Sequence, residues 1–396
     1  MYKVVPMKIL FLNYEYPPLG GGAGVATEAI LNEWKDAPDF EVHLVTSAVS
    51  GKYEKAQLGT SVFVHRLPIG KNSSKLHSQS SRELIAYYFA ALFFLPGFIL
   101  REQKKGKFDA TLAFFTVPCA ALAFIVSVFF RIPYVVSLRG ADVPGFSEKY
   151  DKLYFFLKPV IVFLWKKAQG VIPNSKGIQS LALQTNPKQA MQIIENGIDT
   201  DFFKPGEAPK PASPFVFIST SRLTKRKRID TLIRAFARAS KKTSVSLELC
   251  VISDGEEKEA LQALAKELGV GGTVKFLGRV DRKEYPEIYA RAHVFVLPSK
   301  NEGMSNSALE ALSFGLPLIV SRTGGMEEIV THEKNGLYVD PTDTEEFSQA
   351  LLRLVKESEL REEMSKESRK RALERSWGKT ALQFKNILEG VSHKKI

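Results

Sequence analysis

Two glutamates, Glu302 and Glu310, stand in SKNEGMSNSALEAL with seven residues between them. RAHVFVLP, just before, reads as a buried strand, and SALEALSFG reads as a helix ending at Gly315. The first carboxylate therefore falls in a strand-to-helix loop and the second inside the helix that follows. In an open α/β sheet, ligands bind in the crevice at the carboxyl ends of the strands. A helix start beside Ser305 and Asn306 offers N–H groups and a positive dipole to an anion. Carboxylates for hydroxyls next to amides for phosphate predict a nucleotide-sugar site. Glu310 lies among Ala308, Leu309, Ala311 and Leu312. An unpaired charge there is costly, so a bound hydroxyl or a cation is its expected partner.

Two further loops carry chemistry. STSRLTKRKRID (219–230) holds Arg222, Lys225, Arg226, Lys227 and Arg228 at the end of a strand. Lysine and arginine together suit a pyrophosphate, one as a movable point charge and one as a two-pronged fork. Spacing does not tell which of the consecutive basic residues points inward. PPLGGGAGV (17–25) joins a first strand to a first helix. Its glycines let a phosphate or sugar approach the backbone. It is a poor G-x-G-x-x-G, and no acidic residue ends a second strand to take a ribose, so a dinucleotide site is not expected.

These loops need two scaffolds. At 396 residues the chain is long for one domain. Its first half alternates strand and helix: KILFLN, TEAILNEW, EVHLVTS, SVFVHRL, ELIAYYFAALFFLPGFILRE, ATLAF, VPCAALAFIVSVFF, PYVVSLRG, KLYFFLKPVIVFLWKKA and GVIPNS. That pattern means a parallel sheet covered on both faces. Residues 195–214 hold four prolines and two glycines and read as a linker. The alternation then restarts at FVFIST and runs to LYVD. The last fifty residues read as charged amphipathic helices anchored by Trp377 and Phe384.

Composition narrows the function classes. Cys119 and Cys250 lie far apart in apolar contexts, without metal-ligand spacing, and read as buried thiols in a reducing compartment. The start has no secretory pattern and reads as a first strand. The net charge is +12, spread as 22 Lys+Arg against 15 Asp+Glu in residues 1–200 and 33 against 28 in the rest. No nucleic-acid arm is visible, and an anionic membrane surface is the better partner. Residues 85–100 and 114–130 are apolar enough to be core helices or helices that partly face lipid; each is near the lower limit for a span.

The chain resembles the GT-B retaining glycosyltransferases of family four, the group-one glycosyl transferases. SRLTKRKRIDTLIRAF, VKFLGRV, LPSKNEGMSNSALEALSFGLPLIVSRTGGMEEIV and NGLYVDPTD carry the resemblance most strongly; PPLGGGAG, VIPNSKGIQ and ENGIDTDFFKP carry it more weakly. It implies two Rossmann-like, doubly wound parallel-sheet domains facing a central cleft. Residues 1–200 would bind the acceptor, 201–375 the nucleotide-sugar, and 376–396 would cross back to the first domain. Glu302 would bond the donor sugar, assisted by the backbone of Gly303, Met304 and Ser305. Glu310 would hold the ribose, and Arg222 and Lys227 would neutralise the diphosphate. Arg279 and Val280 would line the base, Gly21 and Gly22 would lie near the leaving phosphate, and Thr323, Gly324 and Gly325 would close the region.

In one place the chain departs from the pattern. Many relatives read H-G-x-D where this chain has Arg139-Gly140-Ala141-Asp142. An arginine stays protonated and is no general base, but it can bind a hydroxyl or a phosphate. The expected activity is metal-free and cofactor-free transfer of a hexosyl group, with retention, from a UDP- or GDP-sugar. The acceptor would be a saccharide or lipid-linked saccharide of the cell envelope. The expected location is cytoplasmic and peripheral at the inner face of the membrane. An epimerase or phosphorylase on the same fold, or a non-catalytic nucleotide-sugar binder, is the alternative.

Overall fold

Strand and helix alternate through both halves of the computed structural model, which describes residues 6–71, 76, 80–147, 151–207, 210–211 and 213–392. Residues 1–5 of the segment read as the first strand, 208–209 and 212 of the expected linker, and 393–396 of the expected last helix lie outside the described residues. Two compact units divide the chain: Met1–Gly197 with Trp377–Ile396, and Ile198–Ser376.

The first unit runs β1 (Met7–Leu12), α1 (Gly22–Trp34), β2 (Phe40–Ser47), β3 (Glu54–Leu58), β4 (Val62–Leu67), α2 (Ser81–Glu102), β5 (Ala110–Phe114), α3 (Ala121–Phe130), β6 (Tyr134–Leu138), α4 (Asp151–Lys167), β7 (Gly170–Pro173) and α5 (Lys176–Thr185). Its sheet has the order β3-β4-β2-β1-β5-β6-β7 and is parallel except for β3 against β4. β3 is an exposed EKAQL edge with no apolar alternation, so its sequence gives no strand signal. The helix expected from Val117 begins instead at Ala121, after a tight turn. Val117 precedes a proline, which pushes it out of the helical region, and it sits at φ −124°, ψ 127°.

The second unit runs β8 (Phe215–Thr220), α6 (Ile229–Lys241), β9 (Leu247–Ile252), α7 (Lys258–Glu267), β10 (Val274–Gly278), α8 (Tyr285–Arg291), β11 (Val294–Leu297), α9 (Asn306–Ser313), β12 (Leu318–Ser321), α10 (Met326–Ile329), β13 (Gly336–Val339), α11 (Thr344–Lys356) and α12 (Ser358–Leu373). The strand order is β10-β9-β8-β11-β12-β13, parallel throughout. Side chains alternate along β8: Phe215 and Phe217 enter one core cluster, Val216 and Ile218 the other. Part of the segment read as linker, from Ile198 to Phe203, is docked here. Ile198 and Phe203 are buried in the second cluster, and Arg369 donates to the Phe203 carbonyl at 3.0 Å. The last helix, α13 (Trp377–Ser392), belongs to the first unit and packs on α1.

Connection handedness sorts the helices of the first unit. The crossovers β4 to β5, β5 to β6 and β6 to β7 all step the same way across the sheet. Right-handed crossing therefore puts α2, α3 and α4 on one face, and α1, whose crossover steps the other way, on the opposite face.

A chain of hydrogen bonds with two buried histidines at its centre ties β2 and β4 to Tyr53, just before β3. The Tyr53 hydroxyl and His65 Nδ1 are 2.8 Å apart, His65 Nε2 and His43 Nδ1 3.1 Å, and His43 Nε2 and Glu41 Oε1 2.8 Å. The carboxylate can only accept, so the Nε2 proton sits on each ring and Tyr53 donates. Burial holds His65 down to about 3, and burial likewise lowers His43. The free imidazole titrates near 6.5. Between about pH 6.5 and 3 the folded chain thus binds fewer protons than the unfolded one, and stability falls as pH falls. Thermal melts between about pH 7 and 4 should show a falling midpoint, and His65→Phe should flatten the slope. A midpoint independent of pH over that range would contradict this.

Candidate active site

In the second unit the chain turns back on either side of the β8/β11 pair. β8 leads outward to β9, and β11 leads the other way to β12. Loops leaving two such strands diverge and open a crevice between them. They are the basic loop after β8 and the Glu302 loop after β11. The Lys300 N–H donates to the Arg226 carbonyl at 2.9 Å, which sets the loops side by side. Lys227 Nζ bonds Glu302 Oε1 directly, and Arg226 Nη1 lies 3.9 Å from Glu302 Oε2 while bonding the Asn301 carbonyl. Arg228, in the left-handed region at φ 52°, ends the 225–227 turn and starts α6, with Lys227 turned inward.

Glu302 was expected to offer its carboxylate to a sugar; in the structure it is already the counter-charge of Lys227 and Arg226. Both side chains are buried, at 8 % and 11 % exposure. Burial alone would raise the Glu302 pKa, but Lys227 and Arg226 outweigh it and hold the carboxyl below its usual range. Burial lowers Lys227, with Glu302 opposing. Each charge survives because the other is present. Arg222 is exposed nearby and acts on Lys227 through its charge.

Glu310 also has a partner that the sequence did not suggest. Arg282, at the start of the turn before α8, bonds Glu310 Oε1 and lies 5.1 Å from the Phe203 ring centroid. Tyr285 and Tyr289, both buried, add aromatic surface around the carboxylate. Burial raises the Glu310 pKa and Arg282 only partly offsets it. Arg282 stands two residues after Val280, but no periodicity links it to a helix 28 positions on.

The Glu302 loop rests on the loop after β12. The Gly325 N–H donates to the Glu302 carbonyl at 3.3 Å, and a Cβ on Gly325 would stand 1.6 Å from the Gly303 carbonyl oxygen. The Thr323 hydroxyl is buried beside this contact without a hydrogen-bond partner. Ser305 caps α9, its hydroxyl accepting from the Ala308 N–H at 3.4 Å, and Met304 is buried in the core below. Of the pair expected to line a base, Val280 packs on the same core and Arg279 is exposed. Glu302, Gly303, Met304, Ser305, Lys227 and Glu310 are thus all carried by the carboxyl-terminal edge of one sheet.

The first unit repeats the arrangement at β1 and β5, where its strand order reverses. The glycine loop after β1 is not empty of charge. The Gly21 N–H, expected near a phosphate, donates to Glu15 Oε2 at 3.0 Å, so a carboxylate already occupies that amide. Gly20 sits at φ 97° with the Glu15 side chain closing over it. Gly22 begins α1. Arg139 stands at the end of β6. Its Nη2 donates to Asn196 Oδ1 at 2.8 Å and its guanidinium lies 4.5 Å from the Phe114 ring. Burial lowers its pKa to about 10, with Asp142 and Glu15 opposing, so it remains a cation at neutral pH. Its Nε–H is buried with no hydrogen-bond partner. Asp142 shapes the turn by accepting from the N–H groups of Arg139 at 2.9 Å, Gly140 at 3.0 Å and Thr116 at 2.9 Å. Glu15, Asn196 and Asp142 were not read as site residues, although Asn196 stands in ENGIDTDFFKP and Asp142 in R-G-A-D.

One group among the described residues has metal-ligand spacing: Glu41, His43 and Glu102. Lys8 Nζ already lies 2.9 Å from Glu41 and 3.3 Å from Glu102 and is itself the cation there.

Residues 201–371 match the family model of the glycosyl transferases, group 1. A GDP-mannose-dependent alpha-(1-6)-phosphatidylinositol monomannoside mannosyltransferase of Mycolicibacterium smegmatis is 24% identical over 87% of this chain and 88% of its own. Among solved structures, sucrose-phosphate synthase from Thermosynechococcus elongatus superposes with a TM-score of 0.82 at 21% identity, covering 97% of this chain and 99% of that one. Anabaena HepE in complex with UDP-glucose gives 0.73 at 20% identity over 97% and 100%. Likeness at this identity establishes the fold, two doubly wound α/β domains of the GT-B kind.

Proposed function

We propose that this chain, which belongs to the glycosyl transferases of group 1, moves a hexosyl group from a UDP- or GDP-sugar to an acceptor hydroxyl, with retention and without a metal ion. The observation that carries the donor assignment is the seating of Lys227 and Arg226 against Glu302, beside the N-terminus of α9. Those cations and amides suit a diphosphate, and Glu302 suits the sugar hydroxyls next to it. Glu310 would take the ribose hydroxyls in exchange for Arg282. The mannosyltransferase relative is named for GDP-mannose and HepE is bound to UDP-glucose, which supports a nucleoside diphosphate sugar and leaves the base open between the two.

In this reading the bond from the anomeric carbon to the diphosphate breaks first. Fixed positive groups stabilise the charge on the departing phosphate at no reorganisation cost. The acceptor oxygen then bonds the same face of the sugar, and its proton leaves on a phosphate oxygen. Arg139 and the loop at Gly21 and Gly22 would serve the acceptor side as hydroxyl or phosphate ligands. A glycolipid or envelope saccharide is the acceptor class, in line with the phosphatidylinositol mannoside relative. Two buried free thiols suit a reducing, cytoplasmic setting.

A thermal-shift screen of UDP- and GDP-sugars should find one that raises the melting temperature, since a ligand binding only the folded state stabilises it. With that donor, Glu310→Ala should weaken binding by roughly tenfold to a hundredfold, the worth of a hydrogen bond to a charged group. The Glu310→Ala/Arg282→Ala double variant should be equally weak, which separates loss of the ribose contact from an orphaned arginine. Unchanged affinity in both would remove the ribose assignment. An inverted product anomer, or activity lost to a chelator, would overturn retention or metal independence respectively.

A further inference from the structure

The outer face of the α2–α3–α4 layer is apolar where a solvent-facing helix layer should be polar. α2 buries Tyr87, Ala91, Leu95, Phe98 and Ile99 against the sheet. Its opposite side presents Ile85, Phe89 and Phe93 at helical spacing, with Phe93 80% exposed. The neighbouring helices continue the surface: Phe129 is 76% exposed on α3, and Phe155 and Phe156 are 77% and 75% exposed on α4. α3 and α4 are joined by the Phe124–Phe163 ring contact at 5.0 Å. Most of the exposed large apolar side chains among the described residues gather on this one layer. A patch of that kind marks an interaction site.

Charge selects the occupant. No Asp, Glu, Lys, Arg or His interrupts 84–100 or 121–130. The carboxyl ends of α2, α3 and α4 all lie at the same edge of the parallel sheet and are followed by exposed cations: Arg101, Lys104, Lys105 and Lys107, then Arg131, then Lys166 and Lys167. Of the acids of α2, Glu83 pairs with Lys71 at 3.2 Å, and Glu102, shared between Lys8 at 3.3 Å, Lys105 at 3.2 Å and Arg101 at 3.8 Å, offsets only part of this charge. Exposed Lys152 and Lys158 flank Phe155 and Phe156, and long side chains of this kind can lay their stems on apolar surface while the ammonium stays in water. Phenylalanines on one face with lysines around the rim match the interfacial zone of a bilayer carrying anionic headgroups.

We infer that the outward face of α2, α3 and α4 docks on an anionic lipid bilayer, with Phe89, Phe93, Phe129, Phe155 and Phe156 entering the headgroup region. α2 is long and apolar enough to cross a membrane by length and composition, but its inner side is core, so it lies in the interface and does not span. Such docking would bring the first unit to a lipid-borne acceptor. It does not depend on the enzymatic reading, since binding is measured without turnover.

The test is flotation of the full chain with vesicles of phosphatidylglycerol and phosphatidylcholine, and with phosphatidylcholine alone. Wild type should float with the anionic vesicles. F93S/F129S/F155S, all at exposed positions, should keep the wild-type melting temperature and lose about tenfold or more in partition. R101Q/K104Q/K105Q/K107Q should lose the preference for anionic lipid. Binding of the wild type should survive in part at about 1 M salt, where the Debye length is about 3 Å. No flotation of wild type at low salt overturns the proposal. So does a phenylalanine variant that floats as wild type does, or binding that salt abolishes completely. Light scattering that shows a wild-type dimer, dissociated by the same three substitutions, without vesicle binding, would assign the face to a second copy of the chain.

Discussion

Replacing Lys227 by alanine should lower kcat/KM by roughly a hundredfold to a thousandfold, the usual loss when one preorganised charge at a departing anion is removed. The size follows from what Lys227 does twice. It would supply the leaving diphosphate with a point charge, and it already holds Glu302, whose side chain is 8% exposed. Without the ammonium, Arg226 at 3.9 Å is the remaining cation paired with that carboxylate. Removing one partner of a buried pair typically costs about 3–5 kcal/mol in stability. A fall in activity alone would therefore not separate chemistry from unfolding. Lys227→Met with Glu302→Gln removes both charges, keeps the volume, and should recover most of the stability. Activity should stay low in that double variant. Recovery of activity along with stability would mean that the pair is only structural.

Gly325→Ala should disable the site without touching any charged group. Its Cβ would meet the Gly303 carbonyl oxygen at 1.6 Å and the Gly303 carbonyl carbon at 2.2 Å. Backbone cannot rotate away as a side chain can, so one loop must move by more than an ångström. The moving loop is the one that carries Glu302, and a displacement of about 1 Å can cost a hundredfold in rate. Overpacking adds roughly 1–3 kcal/mol of destabilisation. Gly272→Ala is the matched control, since its Cβ would meet nothing within 4 Å. Donor affinity and melting temperature should both fall in the first variant and neither in the second. Equal behaviour of the two would show that the Gly303–Gly325 contact relaxes freely.

The strand-to-helix loop with Glu302 and the helix with Glu310 were legible because apolar strands and helix periods flank them on both sides. The side-by-side placement of Lys227 and Glu302 was not legible from spacing. It comes from β8 and β11 being neighbours in the sheet although 75 residues separate Lys227 from Glu302 in the chain. Arg282 was missed for the same reason: it reaches Glu310 on α9 from the turn before α8, with no local pattern to show it. Glu15 was missed because a glycine-rich turn suggests room for an outside anion, and nothing local shows a glutamate six residues earlier bonding the Gly21 amide. The apolar runs at 85–100 and 114–130 were visible as composition. Which side of each faced the sheet required the crossover directions, and those depend on strand order.

Ile198 and Ser376 form a bridge, and the Ile198 N–H donates to the Arg375 carbonyl at 3.1 Å. The chain thus enters and leaves the second unit through adjacent residues. That half is topologically a cassette: a continuous stretch whose two ends are stitched together, carried by a host built from the sequence on either side. A recombination event that exchanged this stretch would replace the second unit in one cut and leave the first unit unthreaded. The two units can therefore evolve on separate clocks in such a chain.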